Sequence, residues 1–183
     1  MPQKQKASIM DADGMRRAIH RISYEILEKN RGARDIVLVG IVRRGAVVAE
    51  RIADKIFDVE GIRPPVVRLD ITPWRDDRKS TQACAGDGFE GAVEVEGATV
   101  ILVDDVLYTG RTVRAAIEAV FSRGRARAIR LAVLIDRGHR ELPIRPDYVG
   151  KNLPTSASER VRVLVNEYDG AEGVAIIERE ADA

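Results

Sequence analysis

Residues 100–112 read Val-Ile-Leu-Val-Asp-Asp-Val-Leu-Tyr-Thr-Gly-Arg-Thr. They combine an apolar run, two adjacent carboxylates and a turn that contains glycine and threonine. Because the apolar run has no polar alternation, it predicts a strand buried on both faces, as in the middle of a parallel sheet. Ligands of open α/β sheets bind outside the carboxyl ends of the strands. Asp104 and Asp105 are therefore expected to face a ligand.

The turn after the acid pair predicts a phosphate site. Residues 109–112 open a helix, and free backbone N–H groups at a helix start bind phosphate. A structural alternative is a buried strand with a solvated acidic end, followed by an ordinary capped helix. Acid pairs also follow strands in P-loop nucleotidases, but the sequence lacks Gly-x-x-x-x-Gly-Lys-Ser/Thr. The pattern favours a site for ribose hydroxyls beside a 5′-phosphate.

Strands and helices alternate on both sides of this segment. Hydrophobic periodicity predicts a helix from Asp11 or Asp13 to about Asn30, strands at 36–41, 66–71 and 129–135, and helices at 46–57 and after Arg111. Such alternation is typical of a doubly wound, mostly parallel sheet flanked by helices. We expect one α/β domain spanning residues 1–183.

Between residues 72 and 97 the regular pattern largely fails. This stretch is polar and contains several glycines, and it is longer than most connections in compact domains. Such loops are often lids or binding loops, the alternatives being a surface excursion or an extended hairpin. We expect a flexible loop in which Arg75 and Arg78 reach the ligand.

Composition excludes several classes of protein. The net charge of +1 over 183 residues gives no support for general nucleic-acid binding, and the single cysteine forms no internal disulfide. No stretch approaches the roughly 20 apolar residues of a membrane span, and the first residues lack the apolar core of a secretory signal. A cytoplasmic protein without a membrane partner is the expectation.

A second strand-to-helix turn at residues 40–45, Gly-Ile-Val-Arg-Arg-Gly, fits a diphosphate. The planar guanidinium matches phosphate oxygens, and glycine allows the backbone to come close to a ligand. Together with the acid pair, this turn resembles the pyrophosphate loop of the type I phosphoribosyltransferases. Members closest to this chain usually have threonine where Arg43 stands, which makes Arg44 the safer diphosphate and catalytic residue.

The segment at 100–112 likewise resembles the 5-phosphoribosyl 1-diphosphate (PRPP) motif of that family. The resemblance implies a type I phosphoribosyltransferase fold with a small hood at about 136–160 and the C-terminal strands. It also implies Mg²⁺ as the cofactor with PRPP, although no side chain is assigned as a direct metal ligand. The implied catalytic residues are Asp104, Asp105 and Arg44, and the implied PRPP-binding residues are Arg43, Arg44, Asp104, Asp105, Val106, Leu107, Tyr108, Thr109, Gly110, Arg111 and Thr112.

The choice of base is indicated by Tyr108, which stands where 6-oxopurine enzymes of the family carry an aspartate. A tyrosine cannot manage the ring proton at neutral pH, which favours a pyrimidine. Residues 136–156 closely resemble the pyrimidine-operon attenuator and uracil phosphoribosyltransferase family. That resemblance implies conversion of uracil and PRPP to UMP and diphosphate, with Arg137 contacting the base and His139 fixing the hood rather than acting as a general base.

Members of this family also regulate transcription. They bind leader mRNA of pyrimidine genes when UMP is present and cause termination, as dimers or higher homo-oligomers. Carried over by position, Arg140, Arg145 and Lys151 match basic residues implicated in RNA contact, whereas His20 and Tyr24 depart from the usual pattern. A nucleotide-sensing regulator with little catalysis, an enzyme that has lost RNA binding, and a purine phosphoribosyltransferase remain as alternatives.

The last segment, 161–179, alternates apolar and polar residues around a turn. It predicts an edge hairpin that completes the sheet and contributes a dimer contact.

Overall fold

The computed structural model describes residues 5–76 and 86–178. Its main sheet has six strands in the order β4-β3-β2-β5-β6-β7, and every pairing is parallel except that of β3 with β4. The bounds are β2 Ile36–Ile41, β3 Val66–Leu69, β4 Phe89–Glu90, β5 Thr99–Leu107, β6 Ala128–Asp136 and β7 Tyr148–Asn152. The predicted α/β class with a mostly parallel sheet is confirmed.

Helices cover both faces of this sheet. The bounds are α1 Ala12–Asn30, α2 Arg44–Glu60 and α3 Arg111–Arg123. Along β5, Ile101 and Val103 belong to the core beneath α1 and α2, whereas Val100 and Leu102 belong to the core beneath α3. Burial on both faces explains why the β5 sequence is an unbroken apolar run.

Three predicted boundaries are corrected. Strand β5 does not stop before the acid pair but continues through it to Leu107, since residues 104, 106 and 107 all pair with β6. Helix α2 begins at Arg44 rather than Ala46. Strand β3 ends at Leu69, so Asp70 and Ile71 belong to the following turn.

The prediction that the C-terminal hairpin completes the main sheet is wrong. Strands β8 Glu159–Leu164 and β9 Gly173–Glu178 pair antiparallel, but they form a separate three-stranded sheet, in the order β1-β9-β8, with β1 Gln5–Met10. A short helix, α4 Asn166–Asp169, connects them. Val163 and Val174 of the hairpin belong to the same core cluster as buried residues of α1 and α2.

The predicted loop at 72–97 has local structure at both ends. A 3₁₀ turn spans Thr72–Trp74, and the Trp74 indole N–H donates to the Asp87 carbonyl at 2.8 Å. Residues 77–85, which include the predicted ligand-binding Arg78, lie outside the described residues. Over the described ranges, no helix has the length and apolar character required to cross a membrane.

Candidate active site

A cavity of 460 Å³ lies at the carboxyl ends of β2, β3 and β5, where the sequence predicted a ligand. It brings together the acid pair, the basic turn after β2 and the start of α3. Its lining consists of Ile41, Val42, Arg43, Asp70, Ile71, Thr72, Arg75, Asp104, Asp105, Val106 and Thr112. Three separate parts of the chain thus converge on one volume.

The two carboxylates of the acid pair differ in environment. Asp104 is 8% exposed, whereas Asp105 is half-buried. Burial, together with the neighbouring charge of Asp105, raises the pKa of Asp104 well above its ordinary value. The Asp105 N–H donates to Asp104 Oδ1 at 2.9 Å, and the Val106 N–H donates to Asp105 Oδ1 at 2.9 Å. These bonds hold both carboxyl groups at the cavity wall.

The basic turn between β2 and α2 lies directly against the acid pair. A Cβ atom at Gly45 would come within 2.6 Å of the Val103 carbonyl oxygen, so only glycine permits this approach. The Val42–Arg43 peptide bond is cis. Arg43, at this turn, is one of the residues that line the cavity.

The neighbouring guanidinium, that of Arg44, is directed elsewhere. Its Nη2 and Nε donate to the two carboxylate oxygens of Asp169, at 2.8 and 3.2 Å. Asp169 lies in α4 and also accepts from the Val165 N–H at 2.9 Å. The predicted diphosphate residue Arg44 therefore binds the C-terminal hairpin, and it is Arg43 that lines the cavity.

The start of α3 has the geometry of an anion site. Gly110 caps the helix with φ +94°, and the first helical hydrogen bond runs from the Arg114 N–H to the Gly110 carbonyl. The N–H groups before Arg114 therefore have no partner within the helix, that of Arg111 donating to Thr109 Oγ1 at 3.4 Å, and such a helix start attracts anions. Within the predicted PRPP motif, Val106 and Thr112 line the cavity, Leu107 is buried and Tyr108 is 38% exposed.

The end of β3 contributes residues that the sequence analysis did not select. Asp70 and Thr72 both line the cavity, and Asp70 Oδ1 accepts from the Thr72 N–H at 2.8 Å and from its hydroxyl at 2.6 Å. The signal was present, because Asp70 is an acidic residue near the carboxyl end of the predicted strand at 66–71, as the acid pair is at the end of the apolar run at 100–103. Arg75, which the sequence did predict, lines the same cavity and is exposed.

The predicted base contact, Arg137, is 6% exposed and lies over the ring of Tyr108, with 4.0 Å between its guanidinium carbon and the ring centroid. Its Nε donates to Thr155 Oγ1 at 3.1 Å and its Nη2 to the Glu159 carbonyl at 2.8 Å. His139 packs edge-on to Tyr108, at 6.0 Å between ring centroids. Its Nε2 lies 2.5 Å from the Thr155 carbonyl oxygen. Arg137, Tyr108 and His139 form a connected group next to the PRPP motif.

The three predicted RNA-binding residues differ in exposure. Arg145 and Lys151 are exposed, whereas Arg140 is half-buried and donates to groups of the chain itself. On α1, Tyr24 is 52% exposed and its ring lies 5.6 Å from Lys55 Nζ. Burial and the charges of Lys55 and Arg16 lower the pKa of His20.

Magnesium fits the donor chemistry of the cavity. Carboxylates of Asp70, Asp104 and Asp105 line it, although no cluster of three metal-ligating side chains occurs among residues 5–76 and 86–178. Mg²⁺ usually keeps several waters and is held through one or two carboxylates and substrate oxygens rather than by an all-protein cage. Asp70 and Asp105, the less buried carboxyl groups of the lining, would supply negative charge to such a hydrated ion.

Comparison with known proteins gives a consistent result. Residues 6–165 match the family model described as phosphoribosyl transferase domain. Proteins named bifunctional protein PyrR are 54% identical in Enterococcus faecalis, over 96% of this chain and 97% of the relative, and 56% identical in Chloroflexus aurantiacus, over 95% and 96%.

Solved structures agree at the level of the fold. Hypoxanthine phosphoribosyltransferase of Trypanosoma cruzi superposes with a TM-score of 0.75 at 16% identity, over 98% of both chains. The Staphylococcus aureus enzyme of that name gives a TM-score of 0.71 at 17% identity, over 98% of this chain and 95% of the other. The cavity at the strand ends, the family match and these relatives together establish that the chain belongs to the phosphoribosyl transferase domain family, among the bifunctional PyrR proteins.

Proposed function

We propose that the protein transfers the phosphoribosyl group of PRPP to uracil, giving UMP and diphosphate. The observation that carries this proposal is the 460 Å³ cavity, because it joins the acid pair, the basic turn after β2 and the N-terminus of α3. These three groups have the chemistry required by the ribose, the diphosphate and the 5′-phosphate of PRPP. The similarity to proteins named bifunctional PyrR supports the same reaction.

Each group has a distinct task in this reaction. Asp104 and Asp105 accept hydrogen bonds from the ribose hydroxyls and stabilise positive charge that develops on the sugar. The first turn of α3, with Thr112, binds the 5′-phosphate. Arg43 and Arg75 provide positive charge for the leaving diphosphate. Bound Mg²⁺ supplies further charge compensation on the diphosphate.

The base is oriented by the group of Arg137, Tyr108 and His139, which lies next to the PRPP motif. Uracil can lose its N–H proton without an assigned side chain, so this group needs to orient the ring rather than to remove a proton. A purine-specific site would need an acid or base at the ring nitrogen, and Tyr108 stands at the position where such enzymes carry aspartate.

The test is a comparison of kcat/KM for uracil and hypoxanthine at saturating PRPP and Mg²⁺, with UMP and IMP separated as products. We expect UMP formation and at least 100-fold discrimination against hypoxanthine. Consumption of hypoxanthine with uracil ignored would replace the proposal by a purine phosphoribosyltransferase.

A second function, UMP-dependent binding to leader mRNA of pyrimidine genes, is supported by two exposed cations in the hood region. Arg145 and Lys151 are both exposed and lie at positions that match RNA-contact residues. Binding of the leader would bring about termination of transcription, and a homo-oligomer would present such cations in repeated copies. The test is titration of the leader against a scrambled RNA of equal length at two salt concentrations, because phosphate contacts alone weaken equally for both. Equal affinity for the two RNAs would exclude specific regulation.

A further inference from the structure

The loop that precedes α3 is covered by one turn of the hood, residues 138–144, which we call the hood turn. The N–H groups of Glu141 and Leu142 both donate to the Thr109 carbonyl, at 3.0 and 3.1 Å. At Gly110, a Cβ atom would lie 3.4 Å from side-chain atoms of Leu142 and Ile144. The hood turn therefore packs directly on the backbone of residues 108–110, which we call the phosphate-binding loop.

On the hood side, Arg140 stabilises this contact through hydrogen bonds from its guanidinium group. Its Nη1 donates to the Tyr108 carbonyl at 2.9 Å, its Nε to the Ile144 carbonyl at 2.9 Å, and its Nη2 to Asp136 Oδ2 at 2.6 Å. The Arg140 side chain is 22% exposed. One guanidinium thus connects the end of β6, the phosphate-binding loop and the residue before the exposed Arg145.

Asp136, which accepts from Arg140, also connects this contact to β7, the edge strand of the main sheet. Asp136 pairs with Leu107 of β5 on one side and with Asn152 of β7 on the other, and Lys151 precedes Asn152. Arg145 directly follows Ile144, whose carbonyl accepts from Arg140, and Lys151 directly precedes Asn152, which pairs with Asp136. A displacement of the phosphate-binding loop would move these positions together.

We propose that Arg140 is a positioning residue that couples the nucleotide site to the RNA-binding surface, rather than a residue whose charge serves only RNA. This inference rests on the proposed function. Bound nucleotide holds residues 106–112 in one conformation. Through its hydrogen bonds, Arg140 then holds the hood turn, and this keeps Arg145 and Lys151 in the arrangement that RNA binding requires. By linkage, RNA must strengthen UMP binding by the same factor that UMP strengthens RNA binding.

The Arg140→Lys variant separates this role from a charge effect. An ammonium group keeps the positive charge, but it lacks the planar fork that reaches the Tyr108, Ile144 and Gly138 carbonyls and the Asp136 carboxylate. Arg145→Lys and Arg145→Gln serve as matched variants at an exposed cation. The measurements are UMP affinity by calorimetry and leader-RNA affinity with and without UMP, after thermal unfolding has shown that each variant is folded.

We expect Arg140→Lys to weaken UMP binding about tenfold and to reduce the ratio of RNA affinities with and without UMP towards one. Arg145→Gln should weaken RNA binding about equally in both conditions and leave UMP affinity unchanged. If Arg140→Lys keeps both the wild-type UMP affinity and the wild-type ratio, the proposal is overturned. If the wild-type protein binds no leader RNA, the regulatory function fails, and unchanged UMP affinity in Arg140→Lys would then also refute the positioning role.

Discussion

At the scale of single residues, the two carboxylates of the acid pair differ in burial and therefore in the role that we expect of each. Asp105 is the better placed to meet the ribose hydroxyls, because Asp104 is 8% exposed and its pKa is raised by burial and by Asp105. We predict that Asp105→Asn lowers kcat/KM for UMP formation by about 100-fold or more, since a carboxylate that stabilises developing charge is lost. Steady-state assays will measure this, with Asp58→Asn on the exposed side of α2 as the control. Full activity of Asp105→Asn would contradict the assignment of the ribose.

The contact between Arg44 and Asp169 could not be predicted from the sequence. Arg44 follows β2 and was expected to bind diphosphate, but its partner lies 125 positions away in α4. Neither side chain carries a local signal for this pair, because the contact exists only after the C-terminal hairpin has packed beside α2. Asp70, by contrast, could have been found, because it is an acidic residue near the carboxyl end of the predicted strand at 66–71.

The Arg44–Asp169 pair also predicts a pH dependence of stability. Hydrogen bonds from Arg44 lower the pKa of Asp169, so the folded state prefers the ionised carboxylate more than the unfolded chain does. Its stabilising contribution is therefore present above the unfolded pKa and is lost as pH falls through the folded pKa.

We predict that Asp169→Asn lowers the free energy of unfolding by about 2 kcal/mol at pH 7, and that the difference from wild type shrinks below about pH 4. Urea titrations at a series of pH values will measure it. Glu167→Gln, at the more exposed pair with Arg51, should cost less than about 1 kcal/mol. A difference that does not vary with pH would show that the pair does not act through its charge.

At the scale of elements, β5 was predictable because both of its faces are buried, which leaves an unbroken apolar run in the sequence. Strand β1 was not predicted. Its residues are exposed or half-buried, and its register pairs Gln5 with Ile177 near the other end of the described chain. The separate sheet that it forms with β8 and β9 depends on long-range pairing, which periodicity alone cannot reveal.

The close packing of α2 on β5 gives an element-scale prediction. Gly45→Ala would place a Cβ atom 2.6 Å from the Val103 carbonyl and 3.0 Å from the Asp104 Cα, both of them backbone atoms that cannot move aside alone. We predict a lower melting temperature and a raised KM for PRPP, because the basic turn is pushed away from the acid pair. Thermal unfolding and PRPP kinetics will measure the two effects.

Gly14→Ala is the matched control for this prediction. Gly14 lies in the first turn of α1, and the nearest atoms to an added Cβ are side-chain atoms, Met10 Cγ at 2.7 Å and Asp11 Oδ1 at 3.0 Å. Since alanine favours helix over glycine by up to about 1 kcal/mol, stability should be unchanged or increased. Equal destabilisation by both substitutions would indicate that the Gly45 contact has no special role.

At the scale of the whole molecule, the fold class, the family and the position of the site followed from the order of strand, acid pair, turn and helix. The predicted family and α/β class are confirmed by the match over residues 6–165 and by the six-stranded sheet. The roles of the PRPP- and base-binding residues, the use of Mg²⁺, the dimer or higher oligomer, the loop contact of Arg78 and the RNA contacts remain predictions. They concern bound ligands, a second chain, a residue outside the described ranges and a bound polymer.

In the proposed function, one site both produces UMP and senses it. The most direct test is a single reaction in which fluorescently labelled leader RNA and the protein are mixed at fixed salt with Mg²⁺ and PRPP, and uracil is then added. We predict that RNA anisotropy stays low before uracil is added and rises in step with UMP formation, to the level that added UMP alone produces. No rise, either after uracil or after UMP itself, would contradict the account.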